Sequence, residues 1–288
     1  MLLEIDHGKL VEEVADSFVG LCKQKLNARI ESLYAVGSYA FGKMSMDRPD
    51  LNFLLILSEY ATPSDYLVIG EICREIPKDF RKHCSVRVEF RPFRYIYPKI
   101  RSSYDVFLNP IIVSTNEIRM RGMIFSKWFT EGMKGTNKLL FGKDFLPSVS
   151  VGTISKQDIF QGALFDLPFF TIPLTRAPAQ YDDDECDLLF NEALTNGKNI
   201  CYLGIEIAMN ENELKEKKYL NYIENKETIA DFYNEHYGKE ASKIVATIFE
   251  AREHYLEYKN CREKADEMFD CALRIADHVQ RNLFQMMR

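Results

Sequence analysis

Apolar residues recur at three- and four-residue intervals over residues 9–29: Leu10, Val11, Val14, Phe18, Leu21, Cys22 and Leu26, with lysine, glutamate and aspartate between them. This is the period of a helix that buries one face. The pattern then changes. Ser32–Val36 and Leu51–Leu57 are apolar runs of strand length, and the polar loop between them opens on Gly37-Ser38. Pro63-Ser64-Asp65 starts a second helix, predicted over about Tyr66–Ile76 with Leu67, Ile69, Ile72 and Ile76 facing inward. Ser85–Phe90 alternates, Val86, Val88 and Phe90 against Arg87 and Glu89. That period predicts a half-buried strand with Glu89 on its solvated side. A helix over Glu117–Met133 and a short strand over 137–144, closed by Gly142, end the first half.

Pro147, Pro168, Pro173 and Pro178 then punctuate the chain and predict a connecting segment over 148–181. From Asp182 the pattern is helical. Asp182–Glu185 is an acidic run suited to a helix N-terminus. Periodic stretches follow at roughly 198–213, 226–235, 239–258 and 260–286, as in a bundle of four or five helices. The expected fold class is therefore α+β: a mixed sheet with flanking helices over 1–147, then an all-α helical bundle over 182–288.

Composition supports two soluble domains. A chain of 288 residues, 46% hydrophobic and 28% charged, can bury two ordinary cores. No apolar run reaches membrane-span length, and Glu4, Asp6, His7 and Lys9 interrupt the N-terminal apolar stretch where a secretory signal would be continuous. A cytoplasmic protein with no membrane partner is expected. Seven cysteines without a Cys-x-x-Cys pair read as reduced, mainly buried thiols, and the five histidines lack metal-ligand spacing. Charge divides unevenly. Residues 1–150 hold 21 Lys and Arg against 18 Asp and Glu, leaving 16 against 25 in the remainder, so an anion-binding surface is expected in the first half.

The candidate chemistry lies in Leu33–Leu57. A Gly-Ser turn after one strand offers backbone N–H groups and a hydroxyl to phosphate oxygens. Asp50, at the head of the next strand, offers a hard oxygen to Mg²⁺. Gly37-Ser38, eleven intervening residues, Asp50-Leu51-Asn52, and Glu89 within Arg87–Phe90 together resemble the nucleotidyltransferase family of the DNA polymerase β type. That family carries Gly-Ser, then Asp-x-Asp on a strand, then a third carboxylate on a neighbouring strand. An N-terminal domain of this kind followed by helices is also the layout of small bacterial and archaeal members such as kanamycin nucleotidyltransferase.

The resemblance implies a nucleotidyltransferase-type sheet. It implies Asp50 and Glu89 as catalytic metal ligands for Mg²⁺, and Gly37, Ser38, Asn52 and Arg87 as contacts to a nucleoside triphosphate such as ATP. The reaction it implies moves a nucleoside monophosphate onto a hydroxyl of a small molecule, aminoglycoside-like, or of a protein. Two cations roughly 4 Å apart would stabilise the attacking and leaving oxygens. Asn52 departs from the pattern, because an amide oxygen carries no charge to offset a cation. It motivates the alternative: a catalytically impaired member that binds nucleotide, nucleic acid or protein. The basic residues between Lys78 and Arg101, interleaved with Tyr95, Tyr97 and Tyr104, are the candidate nucleic-acid surface. A homodimer is left open.

Overall fold

The computed structural model describes residues 6–89, 96–97, 104–119, 127–181, 185–216, 218, 221–222 and 227–286. The chain divides into two compact units, the first essentially residues 1–151 and the second 152–288, with 126–128 grouped with the second. No helix among the described residues is long and apolar enough to cross a membrane.

In the first unit, helix α1 (His7–Leu26) is capped by Asp6, whose side chain accepts from the Lys9 N–H at 3.1 Å. It leads into β1 (Ile30–Val36), β2 (Asp50–Leu57), helix α2 (Pro63–Phe80), β3 (Ser85–Glu89), β4 (Ile96–Tyr97) and β5 (Asp105–Ser114). Short helices α3 (Thr115–Arg119) and α4 (Lys127–Gly135) precede β6 (Asn137–Gly142). The six strands form one mixed sheet in the order β4-β3-β5-β2-β1-β6. β5 runs parallel to both β2 and β3, and the other pairings are antiparallel.

The two faces of the sheet differ. One buries Phe53 against Phe18 of α1, ring centroids 4.8 Å apart, and is covered by the apolar sides of α1 and α2. At one end the other face is apolar, with Tyr34, Val36, Leu54, Ile56, Ile111 and Val113 packing on Met133, Phe145, Leu146 and Val149. At its other end it is polar, and that is where the candidate residues lie.

The sequence pattern misses β5. A parallel strand buried on both faces reads as a continuous apolar run without alternation, and Pro110 argues against a central strand. The register shows how the proline is tolerated. β3 pairs with β5 only from Ser85↔Asp105 to Val88↔Leu108, so Pro110 lies beyond those bonds. β3 has no solvated side. It is buried throughout, Arg87 and Glu89 included, because it lies inside the sheet between β4 and β5. The helix expected over Glu117–Met133 is α3 and α4, and 120–126 lie outside the described residues.

The second unit comprises α5 (Lys156–Gln180), α6 (Cys186–Ala208), α7 (Glu211–Lys215), α8 (Glu227–His236), α9 (Lys239–Glu253), α10 (Tyr255–Tyr258) and α11 (Arg262–Gln285). The connecting segment expected over 148–181 is instead mostly helix. Pro168, Pro173 and Pro178 sit inside α5, where each removes one backbone bond. A capping box at Ser155 and Asp158 fixes its start, and Ile159, Ala163, Leu167, Leu174 and Ala177 bury its inner side, which offsets the lost bonds. α6 is buried nearly all round at the centre of this unit. Gly204 has no spare room there: a Cβ would stand 2.0 Å from the Tyr233 hydroxyl.

Candidate functional site

Strand periodicity brings the site together. Ser85, Arg87 and Glu89 of β3, Asp105, Phe107 and Asn109 of β5, and Asp50 and Asn52 of β2 alternate onto one face of the sheet. The register aligns Arg87, Phe107 and Asp50 in one row across three strands. Asn109, Asn52 and Val36 form the next row.

Asp50 is 4% exposed and Glu89 2% exposed, so neither acid stands on a solvated face. Arg48, from the loop before β2, is the bulkiest fully buried side chain of the described residues. Its Nη1 lies 3.9 Å from Asp50 Oδ2, and its guanidinium sits 4.1 Å from the Phe107 ring centroid. The Arg87 guanidinium is 5.9 Å from the same ring, and its Nε donates to Asp105 Oδ1 at 3.1 Å. Phe107 therefore has two guanidinium groups about it, and an aromatic ring favours a cation near its face. Arg87, expected to meet phosphate, makes a buried ion pair within the sheet. A bond to a charged partner is one of the stronger kind.

Asn52 is bound on both sides of its amide. Its Oδ1 accepts from Asn109 Nδ2 at 2.7 Å, and its Nδ2 donates to the Asp50 carbonyl at 3.3 Å. Gly37 adopts φ +69°, in the region that disfavours side chains, and a Cβ there would lie 3.9 Å from Asn52 Nδ2. Conformation, and not lack of space, makes residue 37 a glycine. Its N–H donates to Thr136 O at 3.0 Å, and Gly37–Tyr39 forms a single tight turn in which Ser38 is half-buried. The structure thus brings the Gly-Ser turn next to Asn52, with Asp50 two residues earlier on the same strand face.

This donor set does not fit a two-metal centre. Asn52 is uncharged and its oxygen already accepts from Asn109. A guanidinium stands 3.9 Å from Asp50 Oδ2 and already sets a positive charge beside the carboxylate that a divalent ion would use. Among the described residues, no group of three or more His, Cys, Asp and Glu is placed to hold a metal ion.

Arg48, Asp105, Phe107 and Asn109 complete the site, and sequence reasoning passed over all four. Only the register of β5 reveals the last three. The signal available for Arg48 was its position two residues before Asp50. Lys78, Arg81 and Lys82 of the basic region are exposed, while Arg91, Arg94, Tyr95, Lys99, Arg101 and the Tyr97 side chain lie outside the described residues. Tyr104 is not a stacking platform for a base. It is buried, stacked on His7 at 3.8 Å between ring centroids, and its hydroxyl donates to Met46 O at 2.9 Å.

A second group of acids lies in the helical unit. Burial pushes the Asp166 carboxyl up to about 7. Burial, and then the neighbouring Asp166, hold Glu206 well above the usual carboxylate range. Glu206 Oε2 has no hydrogen-bond partner among the described residues.

No family model matches the chain, and no curated protein matches it. Among solved structures the chain is similar to a spectinomycin adenyltransferase from Enterococcus faecialis, determined with ATP and spectinomycin. The two are 15% identical, the match covers 91% of this chain and 98% of that one, and the TM-score is 0.46. A likeness this distant leaves the site to be read from its own residues.

Proposed function

We propose that this chain is a nucleotidyltransferase-type protein that binds a nucleoside triphosphate such as ATP beside the Gly37–Ser38 turn and does not turn it over by the two-metal route. The observation that carries the reading is the neutral, doubly bonded Asn52 next to a buried, ion-paired Asp50. The turn keeps the geometry for phosphate contact, with Gly37 at positive φ and Ser38 half-buried beside it. The charges that would grip two divalent cations are absent at residue 52 and neutralised at residue 50. Binding, by itself or coupled to a small-molecule or protein partner, is then the activity such a fold retains.

Calorimetric titration of the full chain with ATP, GTP, CTP and UTP tests this reading. Saturable binding of at least one triphosphate is expected, and no binding to any of them overturns it.

Transfer is the second reading, favoured by the convergence of the Gly-Ser turn, Asp50 and Asn52 at one end of the sheet. In it an acceptor hydroxyl attacks the α-phosphorus and gives its proton to solvent, the bond from that phosphorus to the bridging oxygen breaks, and pyrophosphate leaves with that oxygen. Magnesium-dependent pyrophosphate release in the presence of a hydroxyl acceptor such as an aminoglycoside would establish transfer and displace the binding-only reading.

A further inference from the structure

We propose that Arg48 and Arg87 are the resident cations of this site, in place of divalent metal ions, and that anion recognition beside them is independent of metal. This deepens the binding reading above, but its decisive measurement uses no nucleotide, so the two can fail separately.

Asp50, Glu89 and Asp105 lie on one sheet face at 4%, 2% and 0% exposure. Carboxylates removed from water to this degree need positive charge nearby. A nucleotidyl-transfer centre meets that need with metal ions, so its metal-free carboxylates are left facing one another. Here the chain itself supplies that charge at Asp50 and at Asp105. The Arg48 guanidinium is 3.9 Å from Asp50 Oδ2, and the Arg87 guanidinium is bonded to Asp105 at 3.1 Å. Phe107, between them in the register, gives both a ring to lie against, at 4.1 and 5.9 Å. The planar, weakly hydrated guanidinium is the side-chain cation best suited to such a position.

Geometry explains why a metal does not simply displace them. Arg48 and Arg87 are themselves 1% and 3% exposed, each with the Phe107 ring within 6 Å in addition to its paired acid. The amide of Asn52, tied to Asn109, supplies no second carboxylate that a metal could use as recompense. Asp50 therefore acts here as the counter-ion of Arg48. The sign of its substitution follows. Removing an acid from a metal site measured without metal relieves repulsion and leaves stability unchanged or raised. Removing one partner of a buried pair strands the other charge.

The test has two parts on the full-length chain. Mg²⁺ and Mn²⁺ alone are titrated by calorimetry and by thermal melting, in chelated buffer and at millimolar metal. The expected result is no saturable heat and no shift in Tm for wild type, together with a fall of about 6–20 °C for Asp50→Asn in either buffer. The Arg48→Met variant is expected to gain a metal-dependent rise in Tm, because it leaves Asp50 without its counter-ion. Should that variant not fold, the Asp50→Asn/Arg48→Met double variant serves: if the two residues are a pair, it recovers stability relative to Asp50→Asn. Saturable Mn²⁺ binding by wild type, or an Asp50→Asn variant as stable as wild type without metal, overturns the proposal.

In the second part, ATP binding is compared in EDTA and in Mg²⁺. Equal affinity is expected, and binding that requires Mg²⁺ also overturns it. Absence of ATP binding in both buffers refutes the function proposed above and leaves the metal titration to decide this inference.

Discussion

Replacing Asn52 with aspartate restores the carboxylate spacing that the Asp-x-Asp pattern requires, and the structure states what this costs. The Nδ2 donor to the Asp50 carbonyl, now at 3.3 Å, is lost, and an acidic oxygen faces that carbonyl in its place. The bond from Asn109, at 2.7 Å, survives and gains charge. Losing one ordinary hydrogen bond costs about 1 kcal/mol. The new carboxylate lies two residues along one strand face from Asp50, a separation of about 6.7 Å. At an effective dielectric constant near 20, two negative charges at that distance repel by about 2.5 kcal/mol. The Arg48 charge beside Asp50, the strengthened Asn109 bond and the partial exposure of residue 52 offset some of this, leaving a net loss of about 2 kcal/mol. In a unit of this size the loss lowers Tm by about 4–8 °C. The assay is a thermal melt of Asn52→Asp with and without Mg²⁺. With Arg48 in place the metal is expected to restore little of the loss, and the Asn52→Asp/Arg48→Met double variant is expected to respond to Mg²⁺ far more. A single Asn52→Asp variant returned to wild-type Tm by millimolar Mg²⁺ would refute the reasoning, because it would show a cation position that Arg48 does not control.

Two further predictions concern the two units separately. The Tyr34 hydroxyl accepts the N–H groups of Phe145 and Leu146 and donates to Asp144 Oδ1 at 3.0 Å. Tyr34→Phe leaves two buried N–H groups without that acceptor and is expected to cost about 2–3 kcal/mol in urea unfolding, with faster amide exchange at Phe145 and Leu146; a loss within error of zero would count against this tie. In the helical unit, Asp166 and Glu206 hold protons in the folded state that the unfolded chain releases. Their contribution to stability is greatest at low pH and is lost as pH rises toward about 7 and beyond. Tyr233, on α8, and Cys201 face the same region as uncharged groups, both pushed upward by burial. Asp166→Asn and Glu206→Gln are therefore expected to raise Tm more at pH 8 than at pH 5, and an equal effect at both pH values would contradict the assignment.

Hydrophobic period made most elements of this protein legible. Most inward residues of α1 and α2 follow from spacing, because one-sided burial imposes a period on the sequence, but Leu67, expected inward, is 69% exposed. β1 and β2 follow as apolar runs of strand length, and the alternation that located β3 does not mark a solvated side, since that strand is buried throughout. The missed elements share a cause. β5 is buried on both faces and so carries no period, and α5 contains three prolines whose local cost is outweighed by packing on α6, a contact that no local window contains. The Gly-Ser turn and the acid at residue 50 could be located from the chain alone, since strand length and turn chemistry are local.

The neighbours of those residues could not be read in the same way. Asp105, Phe107 and Asn109 reach the site only through the parallel register of β5 with β2 and β3. Sequence showed that residue 52 lacked a carboxylate. Tertiary structure decided what that absence means: its amide is bound to Asn109, and the acid two residues before it is paired with Arg48. A candidate metal ligand and the counter-ion of a buried arginine are the same residue type in the same place along a strand. They differ in the charge that folding places a few ångströms away, which depends on strand register and on the path of the preceding loop.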